Sequence, residues 1–199
     1  LESMGSDTLA IKDMAGLLTP QSTKELVTLL TKNISIPIHV HSHATAGLAS
    51  LNLIAAVEAG ATIIDTCNSS FSEGASHPTT ESIIAALQSM GYEINIDIAA
   101  IESISEHLRE ARKKYWQFES DFTGVDPRVL SNQVPGGMIS NLSNQLKDQD
   151  ALNKMDDVLK EIPEVRKDLG YPPLVTPTSQ IVGTQAALNI ITGSRYKTV

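Results

Sequence analysis

Cysteine, aromatic residues and positive charge are all scarce in this sequence. Cys67 is the only cysteine among 199 residues, which excludes an internal disulfide framework and fits a reducing compartment. Aromatic residues make up 4% of the chain, and no basic stripe with interleaved aromatics is present. The formal net charge of −8 also disfavours a nucleic-acid partner. We therefore expect a cytoplasmic protein that does not bind nucleic acid.

The sequence also lacks an apolar run long enough to span a bilayer, and it has no secretory signal. Hydrophobic residues make up 41% of the chain, enough for one sizeable core or two small ones. The chain begins at Leu1, and residues 1–4 followed by Gly5 have the pattern of a helix end with its C′ glycine. Because only the end of that helix is present, we expect the chain to be a fragment of a longer protein.

Residues 1–78 alternate strand-like and helix-like segments. Strands are predicted at residues 8–13, 36–43 and 61–66, and amphipathic or apolar helices at residues 20–33 and 47–59. The third strand is almost wholly apolar, as strands buried on both faces are. The order β-α-β-α-β with short loops predicts a parallel sheet wrapped by helices.

Residues 79–199 contain no convincing strand. Segments rich in proline or glycine separate five predicted helices, at residues 80–90, 98–119, 131–147, 151–169 and 179–193. The predicted fold class is therefore α/β, with part of a parallel sheet in residues 1–78 and a helical region in residues 79–199.

Three histidines alternate along the second predicted strand. His39, His41 and His43 share one face of that strand, because side chains two apart point the same way. Two neutral imidazoles at this spacing can bind one metal ion. Lys12 ends the preceding strand, and a polar loop at residues 65–70 follows the next one. Because ligand groups gather at the carboxyl ends of parallel strands, these side chains are expected to meet at one rim.

Lys12 can contribute an oxygen ligand only after chemical modification. A lysine that faces a barrel interior is favoured in its neutral form, because burying an unpaired ammonium is costly. A neutral amine reacts with carbon dioxide to give an anionic carbamate. Carbamylated Lys12, His41 and His43 would then supply three ligands to a divalent ion.

Simpler interpretations exist for each of these residues. Lys12 could pair with Asp13 or another carboxylate at a solvated strand end. His39 lies deeper than its neighbours and is expected to be a satisfied core histidine. His77 and His107 are expected on the surface, although His77 belongs to the loop after the third strand.

Four segments resemble the carboxyltransferase domain of biotin-dependent enzymes, and the resemblance covers essentially the whole chain. The oxaloacetate decarboxylase α subunit is the nearest match by pattern, with pyruvate carboxylase and the transcarboxylase subunit close to it. The segments are residues 11–18 (IKDMAGLL), 39–47 (HVHSHATAG), 134–138 (VPGGM) and 174–185 (LVTPTSQIVGTQ).

The resemblance implies a TIM (β/α)₈ barrel whose last three strands, strands 6–8, lie in residues 1–78. It also implies that Lys12 is the carbamylated metal ligand and that His41 and His43 are the two metal histidines. The implied ion is zinc, with manganese or cobalt also compatible, and biotin is carried on a separate carrier domain. The family's fourth ligand, an aspartate on the first barrel strand, is not in this sequence, and three strands cannot close a barrel.

One loop departs from the family pattern. The family has Gly-Thr-Ser-x-Pro after the last strand, with the threonine implied to pass a proton between biotin and the enol of pyruvate. Here residues 74–78 read GASHP, so that Ala75 lacks the hydroxyl and Ser76 follows it. We therefore expect Ala75 and Ser76 at the substrate site, with slow carboxyl transfer and intact metal binding.

The predicted function is carboxyl transfer between oxaloacetate or pyruvate and carboxybiotin, as part of an oxaloacetate decarboxylase α subunit. In that setting the partners are the biotin carrier domain and membrane decarboxylase subunits, and the full-length protein is expected to be a homodimer. The alternatives are a pyruvate carboxylase subunit that runs in the carboxylating direction and a non-catalytic fragment. A metal-dependent aldolase or acyl-transfer barrel is disfavoured by Lys12 and by the glycine- and proline-containing segments of the resemblance. The 199-residue chain alone is expected to be inactive.

Overall fold

The first part of the protein is a small parallel sheet with helices on one face. The computed structural model describes residues 1–119, 124–132 and 134–199. A short 3-10 turn at Glu2–Met4 ends at Gly5, which adopts the left-handed conformation predicted for a C′ glycine. The elements that follow are β1 (Leu9–Asp13), α1 (Pro20–Asn33), β2 (Ile38–Ser42), α2 (Ala49–Glu58) and β3 (Ile63–Ile64).

The three strands are parallel and lie in the order β1-β2-β3. In β2 the residues Ile38, Val40 and Ser42 are buried, while His39 and His41 on the opposite face are half-buried. Helices α1 and α2 cover the apolar face, where Val27 of α1 and Leu53 of α2 are fully buried. The predicted parallel α/β arrangement is therefore confirmed, with His39 and His41 on the face that the helices leave uncovered.

Strand β3 is shorter than predicted for residues 61–66. Only Ile63 and Ile64 pair with β2 in the ladder. The Asp65 N–H still donates to the Val40 carbonyl at 3.1 Å, but Cys67 pairs with a different segment. Its N–H donates to the Pro78 carbonyl at 2.9 Å, and its carbonyl accepts from the Thr80 N–H at 2.8 Å. The apolar run predicts the strand, but this pairing with the chain after the loop ends it early.

Two helix predictions need correction. The helix predicted over residues 98–119 ends at Lys113 and gives way to a 3-10 turn at Trp116–Phe118, so that Glu119 folds back to bind Arg112 at 2.6 Å. Seven residues of continuous helix would separate those side chains by roughly 10 Å along the axis. The helix predicted over residues 131–147 begins only at Gly136, because Pro135 disfavours helical backbone before it. Residue 133 of that prediction lies outside the described residues.

The helical part forms its own hydrophobic core. Its elements are α3 (Thr80–Ser89), α4 (Ile98–Lys113), α5 (Val129–Asn132), α6 (Gly136–Lys147), α7 (Met155–Asp168) and α8 (Thr178–Thr192). Buried side chains of the last three helices, including Leu146, Ile162 and Val182, make a cluster separate from that of the sheet. The division into domains at residue 78 stays a prediction. None of the described helices is both long and apolar enough to cross a membrane.

The start of α6 packs against the loops that follow the strands. A Cβ atom at Gly136 would lie 2.7 Å from Thr45 Oγ1 and 3.1 Å from the Ala75 Cβ, so only glycine allows this approach. Asp126 donates its backbone N–H to the Thr45 carbonyl at 2.8 Å. These contacts bring the helical part to the carboxyl ends of the strands.

Leucine-to-alanine substitutions in α2 test the burial of the sheet core. Leu53 is 0% exposed and Leu51 of the same helix is 58% exposed. Leu53→Ala is expected to lower the free energy of unfolding by about 2–5 kcal/mol, because it leaves a cavity against the sheet. Leu51→Ala is expected to change it by less than about 0.5 kcal/mol. Urea unfolding of both variants checks this, and equal losses would contradict the assigned face.

Candidate metal centre

Three imidazoles converge at the rim of the sheet. His41 and His43 come from β2 and its end, and His77 comes from the loop after β3. One ligand nitrogen from each lies within 4.8 Å of the other two, and all three side chains are half-buried. The ring centroid of His77 lies 4.3 Å from that of His41 and 4.5 Å from that of His43. The structure therefore brings together two predicted ligands and one histidine that we expected on the surface.

Backbone carbonyls fix two of these rings. His43 Nδ1 lies 2.6 Å from the Ala75 carbonyl oxygen, and His77 Nδ1 lies 3.0 Å from the Ser42 carbonyl oxygen. A carbonyl oxygen can only accept, so Nδ1 carries the hydrogen in both rings. In the neutral ring Nε2 then keeps its lone pair, which is the tautomer that a metal ion needs.

Asp65 fixes the third ring. Its Oδ2 lies 2.6 Å from His41 Nδ1, and its Oδ1 lies 2.8 Å from His39 Nε2 in a less well aligned contact. Burial acts to raise the pKa of Asp65, but the contacts with His41 and His39 outweigh it, and the pKa lies below its usual value of 3.8. The ionised carboxylate accepts from His41 Nδ1 and leaves Nε2 of that ring for a ligand.

The environment keeps His43 neutral. Burial lowers the pKa of His43 below its usual 6.5, and the positive forms of His77 and His41 add to this. The Ala75 carbonyl and Asp13 act in the opposite direction but do not reverse it. Since a metal ion binds only the neutral ring, His43 is ready to bind at neutral pH.

Lys12 lies on the same face as the histidines. It pairs with His41 in the parallel register of β1 and β2. Its side chain is exposed, and the described residues give it no hydrogen bond or ion pair. The alternative pairing with Asp13 does not occur, because the buried Asp13 carboxylate accepts from the backbone of Leu17 and Leu18 instead. The burial on which the carbamate argument depends is not provided by the described part of the chain.

Ala75 and Ser76 border a cleft of about 380 Å³, and the Ala75 carbonyl connects this part of the loop to His43. Ser140, in the first turns of α6, also lines that cleft. Ser140 also borders a second cleft of about 600 Å³, rich in hydroxyl and amide groups, between Met14 and the starts of α6 and α8. Sequence reasoning missed Ser140, and it placed Asp65 at the rim within the polar loop of residues 65–70 without predicting its contact with His41. The signals available were the glycines that precede Ser140 and the position of Asp65 after an apolar strand.

Two protein-family models match the chain. The HMGL-like model covers residues 1–108, which include the sheet and all three histidines of the rim. The model described as the conserved carboxylase domain covers residues 129–199, which include Ser140 and helices α6 to α8.

Curated relatives match along the whole chain. A pyruvate carboxylase subunit of Methanocaldococcus jannaschii is 54% identical over 100% of this chain and 35% of its own length. The methylmalonyl-CoA carboxyltransferase 5S subunit of Propionibacterium freudenreichii subsp. shermanii is 45% identical over 99% of this chain and 39% of its own length. The chain thus spans somewhat more than a third of each of these relatives.

A solved structure shares the fold. The carboxyl transferase domain of Rhizobium etli pyruvate carboxylase, solved with pyruvate and biocytin, superposes with a TM-score of 0.92 at 33% identity. The match covers 98% of this chain and 33% of that one. It confirms the predicted fold class of a partial TIM-barrel sheet followed by helices. The chain belongs to the HMGL-like family, and the two matches together identify it as part of a carboxyltransferase domain of the biotin-dependent enzymes.

Proposed function

We propose that this chain supplies the metal-binding rim of a site that moves a carboxyl group between a keto acid and biotin. The single observation that carries the proposal is the convergence of His41 and His43 beside Lys12 at the carboxyl ends of β1 and β2. Membership of the carboxyltransferase domains supports the same reaction class. The keto acid is pyruvate or oxaloacetate, and the biotin is carried on a separate carrier domain.

Lys12, His41 and His43 would hold one divalent ion. The two imidazoles fit this role because Nδ1 of each donates a hydrogen bond to an oxygen atom, which leaves Nε2 for the ion. Lys12 would add an anionic oxygen as its carbamate, once residues outside this chain bury it. Zinc suits this mixture of ligands, and manganese and cobalt are compatible with it. When bound, the ion supplies Lewis-acid stabilisation of the negative charge that develops on the keto acid.

A proton must move when the carboxyl group is transferred. Breaking the carbon–carbon bond of oxaloacetate sends carbon dioxide to a biotin nitrogen, which loses its proton, while the remaining three-carbon fragment gains one to become pyruvate. A hydroxyl can relay this proton by accepting on one side and donating on the other. Ala75 lacks that group, whereas Ser140 lines the same cleft with a hydroxyl that donates to the Gly136 carbonyl at 3.2 Å.

We favour the carboxylating direction. The predicted oxaloacetate decarboxylase function gains no specific support, because the two curated relatives carry the names of a pyruvate carboxylase and a carboxyltransferase. The alternative of a pyruvate carboxylase subunit therefore fits better. Membrane decarboxylase subunits belong to the less favoured alternative. The homodimer and the inactivity of the isolated chain stay predictions; the exposure of Lys12 supports the second of them.

The first test measures biotin-dependent carboxyl transfer in the intact native protein. Oxaloacetate is expected to release pyruvate faster when free biotin is added, because biotin accepts the carboxyl group. His43→Ala should reduce this to the rate without biotin, whereas His107→Ala on the exposed side of α4 should leave it unchanged. Release of pyruvate that biotin does not stimulate would overturn the proposed reaction.

The second test concerns the carboxylate that orients His41. Asp65→Ala is expected to weaken zinc binding by about 10–100-fold, because it removes the acceptor that fixes the His41 ring. The exposed Asp7→Ala serves as a control with the same change of charge and size. Competition with a chromogenic chelator measures both affinities, and an equal effect of the two substitutions would show that only overall charge matters.

The third test locates the hydroxyl relay. Ser140→Ala is expected to slow carboxyl transfer by about 10²–10⁴-fold while metal content stays unchanged, because only the proton path is removed. The exposed Ser89→Ala should have no effect. Ala75→Thr restores the family's hydroxyl and raises turnover only if the relay passes through position 75. Full activity of Ser140→Ala, with loss in Ser76→Ala, would assign the relay to Ser76 instead.

A further inference from the structure

His77 is the one imidazole of the rim that the proposed site does not use. Its ring lies closer to His41 and His43 than those two rings lie to each other, with centroid distances of 4.3 and 4.5 Å against 5.3 Å. A ligand nitrogen of His77 also lies within 4.8 Å of one in each of the other two rings. These spacings are short enough for all three nitrogens to bind one ion after small movements of the rings.

The loop that carries His77 is built to hold this position. The Glu73 N–H donates to the His77 carbonyl at 2.8 Å, and the Ala44 N–H donates to the Ser76 carbonyl at 2.8 Å. The second bond ties the loop directly to the end of β2, from which His43 extends. His77 Nδ1 bonds to the Ser42 carbonyl, so Nε2 is free in the neutral ring. The backbone of the histidine strand therefore sets both the position and the tautomer of His77.

We propose that His77 is a direct ligand of the metal ion, which gives the centre three imidazole nitrogens. The inference rests on the metal site of the proposed function and adds a ligand beyond Lys12, His41 and His43. Imidazole-rich sites favour zinc, whereas manganese prefers carboxylate, carbonyl and water oxygens. A third imidazole should therefore make the centre more selective for zinc over manganese and let it keep zinc more tightly.

The test measures the affinities for zinc alone and for manganese alone in the intact native protein and in its His77→Gln variant. Glutamine can still donate a hydrogen bond to the Ser42 carbonyl, so the loop should keep its position. We expect zinc affinity to fall by about tenfold or more, because losing a direct ligand should cost at least as much as losing a group that hydrogen-bonds to a ligand. Manganese affinity should change much less, so the ratio of the two affinities falls. His107→Gln on exposed α4 is the matched control and should leave both unchanged.

A second measurement does not depend on any variant. X-ray absorption at the zinc edge counts the imidazoles bound in the unmodified protein, and three are expected. The proposal for His77 would be overturned if X-ray absorption counted only two imidazoles and the ratio of zinc affinity to manganese affinity were unchanged in His77→Gln. If His43→Ala still binds zinc as tightly as the unmodified protein, the metal site of the proposed function fails as well, so the two failures are distinguishable.

Discussion

The parallel register between β1 and β2 is the constraint on which the rest of the site depends. It sets Lys12 beside His41 and puts the histidines of β2 on the face away from the helices. A slip of one residue would turn every side chain of β2 to the opposite face. The apolar residues Ile38 and Val40 prevent that slip, because they are 2% and 0% exposed against α1 and α2. The hydrophobic packing on one face of the sheet thus fixes the positions of Lys12 and the histidines on the other face.

A second layer of contacts connects the rim to the helical part. The glycine at position 136 lets α6 approach Thr45 and Ala75 more closely than any side chain would allow. The same Ala75 offers its carbonyl to His43 and its side chain to the cleft shared with Ser140. The ring orientation of His43 and the approach of α6 to the strands therefore depend on one short loop. Changes in the packing of α6 should therefore alter the orientation of the histidine rings, even though α6 contains none of these histidines.

Local periodicity was sufficient to predict the strands, the parallel sheet and the shared face of His41 and His43. The shared face follows from alternation along one segment, the third strand from its apolar run, and the parallel sheet from the order in which strand and helix patterns alternate. The contacts of His77 with Ser42 and of Asp65 with His41 could not be predicted in this way, because they join residues that are far apart in the sequence. Ser140 was missed because it reaches the site through the packing of α6. The early end of β3 has the same origin, since the backbone of Cys67 beyond it pairs with Pro78 and Thr80 instead of β2.

Lys12 and the histidines differ in what they require from their surroundings. A neutral imidazole needs only a fixed tautomer, and the described residues supply this through Asp65, Ala75 and Ser42. A lysine must also lose its charge before it can form a carbamate, and that requires burial. Lys12 is exposed on the face of the sheet away from the helices, so the described residues orient the imidazoles of the proposed centre but do not bury its lysine. Groups that cover the open face would complete the centre by burying Lys12, and they need not rearrange the histidines to do so.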